Sequence, residues 1–334
     1  MIERIEVEAL GAISNLKWKN LQGINVVTGR NSSGKTTLLK ALYAIVRTIE
    51  QYKRGNEPRS IKDLLSEKLY WTFQTGNLGK LVNKDYSSLK FVCHSSDSEE
   101  FEFGFGESTT TSIGTVVSTF KPRSQNSIFL PAKEIISLQK TILRTRDEWK
   151  TFGFDDTYYD LAKALTPATK GKNYESFSNA RISLKEVIGG RILYDEKLAI
   201  WQFKDSSNRT YPVGTTAEGV KKLGILDALL GNHYLSRDSI VFIDEPESAL
   251  HPELITTFID VIFSLAEDGI QFFLATHSYF VIKKLYLLAN QKNKSIPLLS
   301  FENDGALQSD IKDGIDDSSI VGESVRLYEE ELDL

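Results

Sequence analysis

A short glycine-containing segment near the N-terminus carries the residue types that bind phosphate. Residues 29–36 read GRNSSGKT, which fits the pattern G-x-x-x-x-G-K-[ST]. In such a loop the glycines let successive backbone N–H groups point at phosphate oxygens, the lysine contacts the outer phosphates and the hydroxyl binds Mg²⁺. Lys35 and Thr36 hold the last two positions. The pattern therefore predicts a site for the phosphates of a magnesium-bound nucleotide.

Two acidic residues follow an apolar run in the second half of the chain. Asp244 and Glu245 come directly after the segment IVFI at 240–243. An apolar strand that ends in aspartate places a carboxylate beside the metal of a phosphate loop, so Asp244 is predicted to lie next to Mg²⁺. Glu245 is predicted to polarise the attacking water. Taken alone, these residues would more often describe a buried strand that ends in a solvated acidic turn.

A histidine after another apolar run completes the set. His277 lies in ATHS at 275–278, which is 33 residues after Asp244. Parallel strands deliver their carboxyl ends to one edge of a sheet, where ligands bind. His277 is therefore predicted to hydrogen-bond the outermost phosphate or the attacking water. The plainer alternative is a solvated side chain at the end of a strand.

The elements that must position these residues follow from the hydrophobic pattern. Strands are predicted at 2–7, 24–27, 127–130, 191–194, 198–203, 239–243 and 271–275, and helices at 35–52, 216–230, 251–266 and 278–289. Residues 60–120 look mixed, and residues 133–189 are mostly helical and polar. Strand and helix alternate at both ends of the chain, which favours an α/β fold with a parallel sheet.

Composition excludes several classes of protein. The 334 residues allow one large or two ordinary domains, and 41% of them are hydrophobic. The net charge of −5 is concentrated in the tail, because residues 310–334 hold nine acids and two bases. One cysteine permits no internal disulfide, and no apolar run reaches the roughly 20 residues that span a membrane. We expect a cytoplasmic protein without a membrane partner.

The three motifs also resemble a known family when they are taken in order. GRNSSGKT, VFIDEPESALHPE and ATHS resemble the ATPase head of ABC, SMC, RecF and OLD-type proteins, and MIERIEVEALGAISNL resembles the start of the RecF/OLD branch. The likeness covers residues 1–50 and about 190–290. It implies a P-loop NTPase fold, with a two-lobed ABC-type head that has an antiparallel β edge and a helical lobe. The head would occupy 1–132 and 190–300, a helical insertion 133–189 and an acidic segment 301–334.

The resemblance implies roles for residues at matching positions. The ATP-binding residues would be Arg30, Asn31, Ser32, Ser33, Gly34, Lys35, Thr36, Thr37 and Gly219. The Mg²⁺ ligands would be Thr36, Asp244 and Gln74, the last as the candidate Q-loop glutamine, and the catalytic residues would be Lys35, Glu245 and His277. Residues 248–251 would cross to a second subunit, and FLPAKE at 129–134 resembles a segment of the OLD-like branch.

One motif departs from the family pattern. The stretch TTAEGVKKLG at 215–224 stands where the family has an LSGGQ-like signature, which a second subunit presents to the nucleotide. Gly219 is retained, but the serine position is Ala217, and Thr216 is the alternative source of a hydroxyl. The strength of nucleotide-driven pairing is therefore left open.

The expected function is that of a Mg²⁺-dependent ATPase. Two copies, or a larger homo-oligomer, would enclose ATP and regulate a separate effector such as a nuclease or toxin, as in bacterial phage defence. Two alternatives remain: an ATP-clamped scaffold with little turnover, and a RecF-like DNA-repair ATPase. Nucleic acid is weakly supported, since residues 121–197 hold 14 bases against 10 acids. A final amphipathic helix is expected to pack on its own domain rather than on a partner.

Overall fold

The structure is a computed structural model that describes residues 1–55, 59–302, 305–315 and 319–332. Its strands are β1 (Ile2–Leu10), β2 (Ile13–Trp18), β3 (Ile24–Gly29), β4 (Ser88–Ser95), β5 (Glu100–Gly106), β6 (Thr115–Ser118), β7 (Ile128–Leu130), β8 (Gly190–Asp195), β9 (Ile200–Asp205), β10 (Thr210–Pro212), β11 (Ile240–Asp244), β12 (Gln271–Ala275), β13 (Pro297–Glu302) and β14 (Gly305–Asp310). Its helices are α1 (Lys35–Gln51), α2 (Ile61–Phe73), α3 (Gln139–Asp147), α4 (Asp156–Ala164), α5 (Glu175–Ile188), α6 (Glu218–Gly231), α7 (Pro252–Glu267), α8 (Tyr279–Lys292) and α9 (Ser319–Leu332). Short 3₁₀ turns lie at Leu78–Leu81, Ile136–Leu138, Val213–Thr215 and Ile311–Asp313.

A six-stranded sheet in the order β14-β13-β3-β12-β11-β7 carries the predicted site. All of its strands run parallel except β14, which pairs antiparallel with β13. The carboxyl ends of the parallel strands therefore meet at one edge. Because β3 leads into the phosphate loop, β11 ends at Asp244 and β12 leads into His277, this topology brings the three motifs together.

Successive residues of the central strands face two different cores. Phe242 of β11 and Phe273 of β12 stack with ring centroids 5.2 Å apart on the face that packs against α1 and the N-terminal strands. Val241 and Leu274 face the opposite core, which holds side chains from α4 to α8. Burial on both faces explains why these strands read as continuous apolar runs.

Two smaller sheets complete the fold. An antiparallel sheet in the order β2-β1-β4-β5-β6 forms the predicted antiparallel edge, and β8, β9 and β10 form a separate three-stranded sheet.

The sequence did not predict α2, although its start carries a recognisable cap. Ser60 accepts a hydrogen bond from the backbone N–H of Asp63 at 3.1 Å, and the Ser60 hydroxyl donates to the Asp63 carboxylate. A serine side chain that accepts from the backbone N–H three residues later is typical of helix N-termini.

The proposed division of the chain stays a prediction, but two features bear on it. Leu161 of α4 and Phe177 of α5 are fully buried in the same core as β11 and β12, so the segment 133–189 packs on the head. The large sheet also continues beyond residue 300, through β13 into β14.

In the part of the chain that the structure describes, no helix is long and apolar enough to cross a membrane.

The predicted C-terminal helix is present as α9. Its first turn packs on the parent core, where Val321 is buried. Further along, Val325, Tyr328 and Leu332 are 47%, 59% and 67% exposed. The first turn of the helix therefore packs on its own domain as expected, while the later turns remain exposed.

Candidate nucleotide site

The phosphate loop runs from the end of β3 to the start of α1. Gly29 and Gly34 have φ angles of 138° and 105°. A Cβ on Gly29 would lie 2.8 Å from the carbonyl oxygen of Phe301, and one on Gly34 would lie 2.8 Å from Ile13 Cγ1, so both positions require glycine. No side chain caps α1, which leaves the N–H groups of its first turn available to an anion.

Lys35 folds back over the loop that precedes it. Its Nζ donates hydrogen bonds to the carbonyl oxygens of Gly29 at 2.7 Å and Arg30 at 2.8 Å. Partial burial lowers the pKa of Lys35, while the nearby Asp244 carboxylate acts in the opposite direction. The ammonium group is held on the loop by acceptors that phosphate oxygens can replace.

The other predicted loop residues lie between the end of β3 and the first turn of α1. Arg30, Asn31 and Ser32 are exposed, and Ser32 has a φ of 64°. The Ser33 hydroxyl oxygen is buried and has no hydrogen-bond partner within the described part of the chain. A buried hydroxyl without a partner is costly, so a ligand that offers one is favoured here. Thr37 lies in the first turn of α1.

Thr36 and Asp244 join the phosphate loop to β11. The Thr36 hydroxyl donates to the two carboxylate oxygens of Asp244, at 3.0 and 3.2 Å. Burial raises the pKa of Asp244, and the hydrogen bond from Thr36 opposes this effect. The structure therefore places the two predicted metal-side residues in direct contact.

Thr36 and Asp244 fit a magnesium ion whose remaining ligands come from a nucleotide and water. Among the described residues, no three His, Cys, Asp or Glu side chains cluster in a way that could hold a metal by themselves. Mg²⁺ usually takes one or two carboxylates together with phosphate oxygens and water, and it prefers oxygen ligands. A hydroxyl from Thr36 and a carboxylate from Asp244 meet that requirement.

Glu245 and His277 lie beside this pair. Glu245 has a φ of 50°, a left-handed conformation that costs a non-glycine residue about 1 kcal/mol. Its backbone N–H donates to the carbonyl oxygen of Ala275 at 2.8 Å. This bond ties the acidic turn that follows β11, residues 244–247, to the end of β12. The Glu245 carboxylate is 40% exposed and lies 3.7 Å from Nδ1 of His277. The two side chains predicted to act on the outermost phosphate are therefore neighbours.

Glu247 is a site residue that sequence reasoning missed. Its carboxylate accepts hydrogen bonds from the Thr276 hydroxyl and from the backbone N–H of His277, each at 2.9 Å. It also lies 3.3 Å from Nδ1 of His277. These contacts fix the segment that carries the histidine. The sequence offered one hint: Glu247 is a second acid, two residues after the predicted base Glu245.

Lys222 of α6 is a second residue that the sequence did not reveal. Its side chain is nearly inaccessible, and its Nζ donates to the backbone carbonyl oxygen of Glu245. Burial lowers the pKa of Lys222 to about 8, although Glu247 and Glu245 act to raise it. The adjacent Lys221 is equally buried but pairs with Glu134 and Glu218 instead. Lys222 thus connects α6 to the acidic turn.

Gly219 and Gln74 lie apart from these contacts. A Cβ on Gly219 would lie 2.6 Å from the carbonyl oxygen of Ala249, so α6 packs closely on the turn at 248–251. Gln74 caps the C-terminus of α2 with a φ of 48°. The Gln74 side chain makes no hydrogen bond to Thr36 or Asp244 within the described residues, and the assignments of Gln74 and Gly219 remain predictions. Residues 131–134, by contrast, directly follow β7, which belongs to the sheet that carries the site.

Comparison with known proteins agrees with this arrangement. A protein-family model described as "AAA domain, putative AbiEii toxin, Type IV TA system" matches residues 24–212 and 136–283. Together the two matches span most of the chain. The chain belongs to this AAA-domain family. No curated protein matches the sequence.

Solved structures show the same fold for this AAA domain. The Smc head bound to the C-winged helix domain of ScpA is 12% identical, covers 92% of this chain and 97% of its own, and has a TM-score of 0.55. The Smc head domain with an extended coiled coil, bound to the C-terminal domain of ScpA derived from Pyrococcus furiosus, is 11% identical, covers 98% of each chain and has a TM-score of 0.51. The α/β P-loop fold of an ABC-type ATPase head, expected from the motifs, is confirmed.

Proposed function

We propose that this AAA domain hydrolyses ATP with Mg²⁺ at the carboxyl edge of its large sheet. The observation that carries the proposal is the hydrogen bond between Thr36 of the phosphate loop and Asp244 at the end of β11. Two segments about 200 residues apart in sequence meet through the two side chains that a metal-bound triphosphate requires. Mg²⁺, when bound, neutralises charge on the phosphate oxygens.

The chain's own residues divide the remaining tasks. Lys35 and the N–H groups at the start of α1 bind the phosphates. Glu245 accepts a proton from the attacking water, and its partial exposure leaves room for that water. His277, oriented by Glu247, donates or accepts a hydrogen bond at the outermost phosphate.

We further propose that two copies pair around the nucleotide. Gly219 packs on the turn at 248–251, so the signature segment and the predicted crossing loop form one continuous surface. This surface includes the N-terminus of α6, whose cap residue Ala217 makes no side-chain capping bond. The uncapped N–H groups there favour an anion, such as a phosphate group held by a second copy.

The paired form is proposed to regulate a separate effector protein, in bacterial defence against phage. The two Smc head structures are bound to domains of ScpA, so heads of this fold can bind a partner protein. The matched family carries a toxin–antitoxin description, which supports an effector that is a toxin or a nuclease. In the second candidate function, ATP mainly clamps a scaffold. The hydroxyl-free Ala217 in the signature segment favours that alternative.

Two substitutions test the proposed hydrolysis. Lys35→Ala removes the phosphate-binding ammonium, so ATP affinity measured by calorimetry should be lost. Glu245→Gln keeps the contacts to the nucleotide but removes the base, so ATP should still bind while phosphate release falls by about 100-fold or more. Multiple-turnover phosphate release with Mg²⁺ measures the second effect.

Glu186→Gln is a suitable control, because Glu186 is an exposed glutamate on α5. Its phosphate release should equal that of the wild type. Equal release by Glu245→Gln and wild type would remove Glu245 from the catalytic role. Tight ATP binding with negligible turnover in the wild type itself would favour the scaffold over the enzyme.

A further inference from the structure

A charged cavity lies at the end of α1 that is remote from the phosphate loop. It has a volume of about 410 Å³ and is lined by residues of α1, α2, α3 and α4. Five cationic side chains line it: Arg47, Arg59, Lys68, Arg146 and Lys163. Small-molecule sites are usually clefts of roughly 300–1,000 Å³, so this cavity can hold a small ligand.

The three carboxylates of the cavity wall are already engaged by protein groups. Asp160 accepts hydrogen bonds from the Tyr43 hydroxyl at 2.6 Å and from Lys68 at 3.0 Å. Asp156 lies 2.7 Å from Lys68, and burial raises the pKa of Asp156, which can only weaken the negative charge of the wall. Glu67 pairs with Arg59 at 2.6 Å.

The cations are less completely neutralised. Five positive groups face three carboxylates among the lining residues, and Glu50, which is not a lining residue, pairs with Arg47 at 2.7 Å, so an excess charge of about +1 remains. Lys163 donates only a long hydrogen bond of 3.4 Å to the neutral Tyr159 hydroxyl, and no described carboxylate pairs with it. Arg146 stacks on the ring of Trp71 at 3.3 Å and reaches Asp156 at 3.2 Å. Its buried Nη1 has no hydrogen-bond partner among the described residues.

This excess charge indicates the class of ligand. A phosphate monoester carries a charge of about −1.5 to −2 at neutral pH and presents three acceptor oxygens. It would offset this excess and supply acceptors for the lysine and arginine donors, which bind phosphate through charge-assisted hydrogen bonds. The cavity volume of about 410 Å³ fits a small molecule better than an extended nucleic-acid strand.

The cavity is distinct from the nucleotide site. Lys35 begins α1 at the phosphate loop, and Arg47 follows twelve residues later on the same helix. A rise of 1.5 Å per residue separates these two positions by about 18 Å. A ligand in the cavity therefore cannot share its phosphates with the loop.

We propose that this cavity is a second ligand site, which takes a small phosphate monoester of about nucleoside-monophosphate size. The site does not depend on the proposed hydrolysis, because none of its residues belongs to the nucleotide site. Helix α1 connects the two sites, so the cavity ligand and the nucleotide can influence each other's affinity.

The test uses the Lys35→Ala variant, which weakens phosphate binding at the loop. Inorganic phosphate and adenosine monophosphate are titrated by calorimetry at constant ionic strength, with chloride as the comparison salt, because phosphate also stabilises proteins non-specifically. Saturable binding of one equivalent is expected. Adding Lys163→Gln should weaken it roughly tenfold, the effect of losing one charge-assisted hydrogen bond.

Arg144→Gln is the matched control, because Arg144 lies on the same helix as Arg146 but is 67% exposed and pairs with Glu148. Its affinity should equal that of the parent. Arg146→Lys keeps the positive charge and the pairing with Asp156, so it separates loss of binding from loss of folding. Absence of saturable binding, equal affinity in Lys163→Gln, or binding of oligonucleotides but not of the monophosphate would each overturn the proposal.

Discussion

Two charged residues, the buried Lys222 and the half-buried Glu247, determine how Glu245 is presented to a nucleotide. Lys222 binds its carbonyl oxygen from the side of α6, while Glu247 fixes Thr276 and His277 on the side of β12. Between them Glu245 keeps a left-handed backbone that is unfavourable for a residue with a side chain. Strain of this kind persists only where the surroundings enforce it, so the two neighbours act as positioning residues in the proposed reaction.

Lys222→Met tests this view at the residue scale. The substitution keeps most of the side-chain volume but removes the hydrogen bond to the Glu245 carbonyl oxygen. We expect kcat for ATP hydrolysis to fall about tenfold or more, with little change in KM, because binding of the phosphates depends on Lys35 and α1. Steady-state phosphate release at several ATP concentrations separates the two parameters.

Lys221→Met is the matched control, since Lys221 is the adjacent and equally buried lysine. Both variants remove a buried cation and should alter stability, but only Lys222→Met should alter kcat strongly. Equal losses of kcat in the two variants would assign the effect to general destabilisation of α6.

Single residues also show what the sequence could and could not reveal about the site. Lys35, Thr36 and Asp244 are predictable because their motifs fix both residue type and backbone context, and two of them meet in the structure. Lys222 is not predictable, because a lysine on a helix is usually solvated and the pair Lys221-Lys222 offers no way to choose between them. Its role depends on how closely α6 packs on the acidic turn, which only the fold determines.

At the scale of elements, α1 connects the nucleotide site to the rest of the molecule. Its start forms the phosphate loop, its middle packs under the large sheet and its end lines the charged cavity. Tyr43 is fully buried at the midpoint, where its ring meets Phe129 and Phe242 edge-on. Its hydroxyl donates to Asp160 of α4 at 2.6 Å, so one side chain joins the helix to both the sheet and α4.

Tyr43→Phe should therefore destabilise the protein without changing its shape. The substitution removes a hydrogen bond to a buried carboxylate, and such bonds contribute about 1.5–3 kcal/mol. The free energy of unfolding, measured by urea titration, should fall by about that amount. Tyr328→Phe on α9 is the control, because Tyr328 is 59% exposed and should change stability by less than about 0.5 kcal/mol. Equal small effects would mean that Lys68 and Arg47 alone hold Asp160.

The elements differ in how clearly the sequence announces them. Helix α1 and the strands β11 and β12 were predicted because periodicity and motif agree there. Helix α2 was missed, since its amphipathic pattern is weak and only the Ser60–Asp63 cap marks its start. Strands β13 and β14 were also missed, because their place beside β3 depends on pairing with residues near the opposite end of the chain.

At the scale of the whole molecule, the proposed pairing predicts a change in mass. The Glu245→Gln variant should retain ATP, so the paired state should accumulate by mass action. Sedimentation velocity with Mg²⁺ and ATP should then show a species of twice the 37.6 kDa of one chain. Lys35→Ala should remain at the lower mass under the same conditions. A Glu245→Gln sample that binds ATP but stays at the lower mass would contradict pairing around the nucleotide.

The position of β3 within its sheet has a consequence for biosynthesis. Ile24 pairs with Phe272 and Gly29 with Phe301, so both neighbours of the strand that leads into the phosphate loop are translated more than 240 residues after it. A chain still attached to the ribosome lacks these neighbours, and cellular ATP has no finished loop to bind until translation has passed Phe301. We therefore expect prematurely terminated chains to gain no protection from nucleotide and to be removed by proteases.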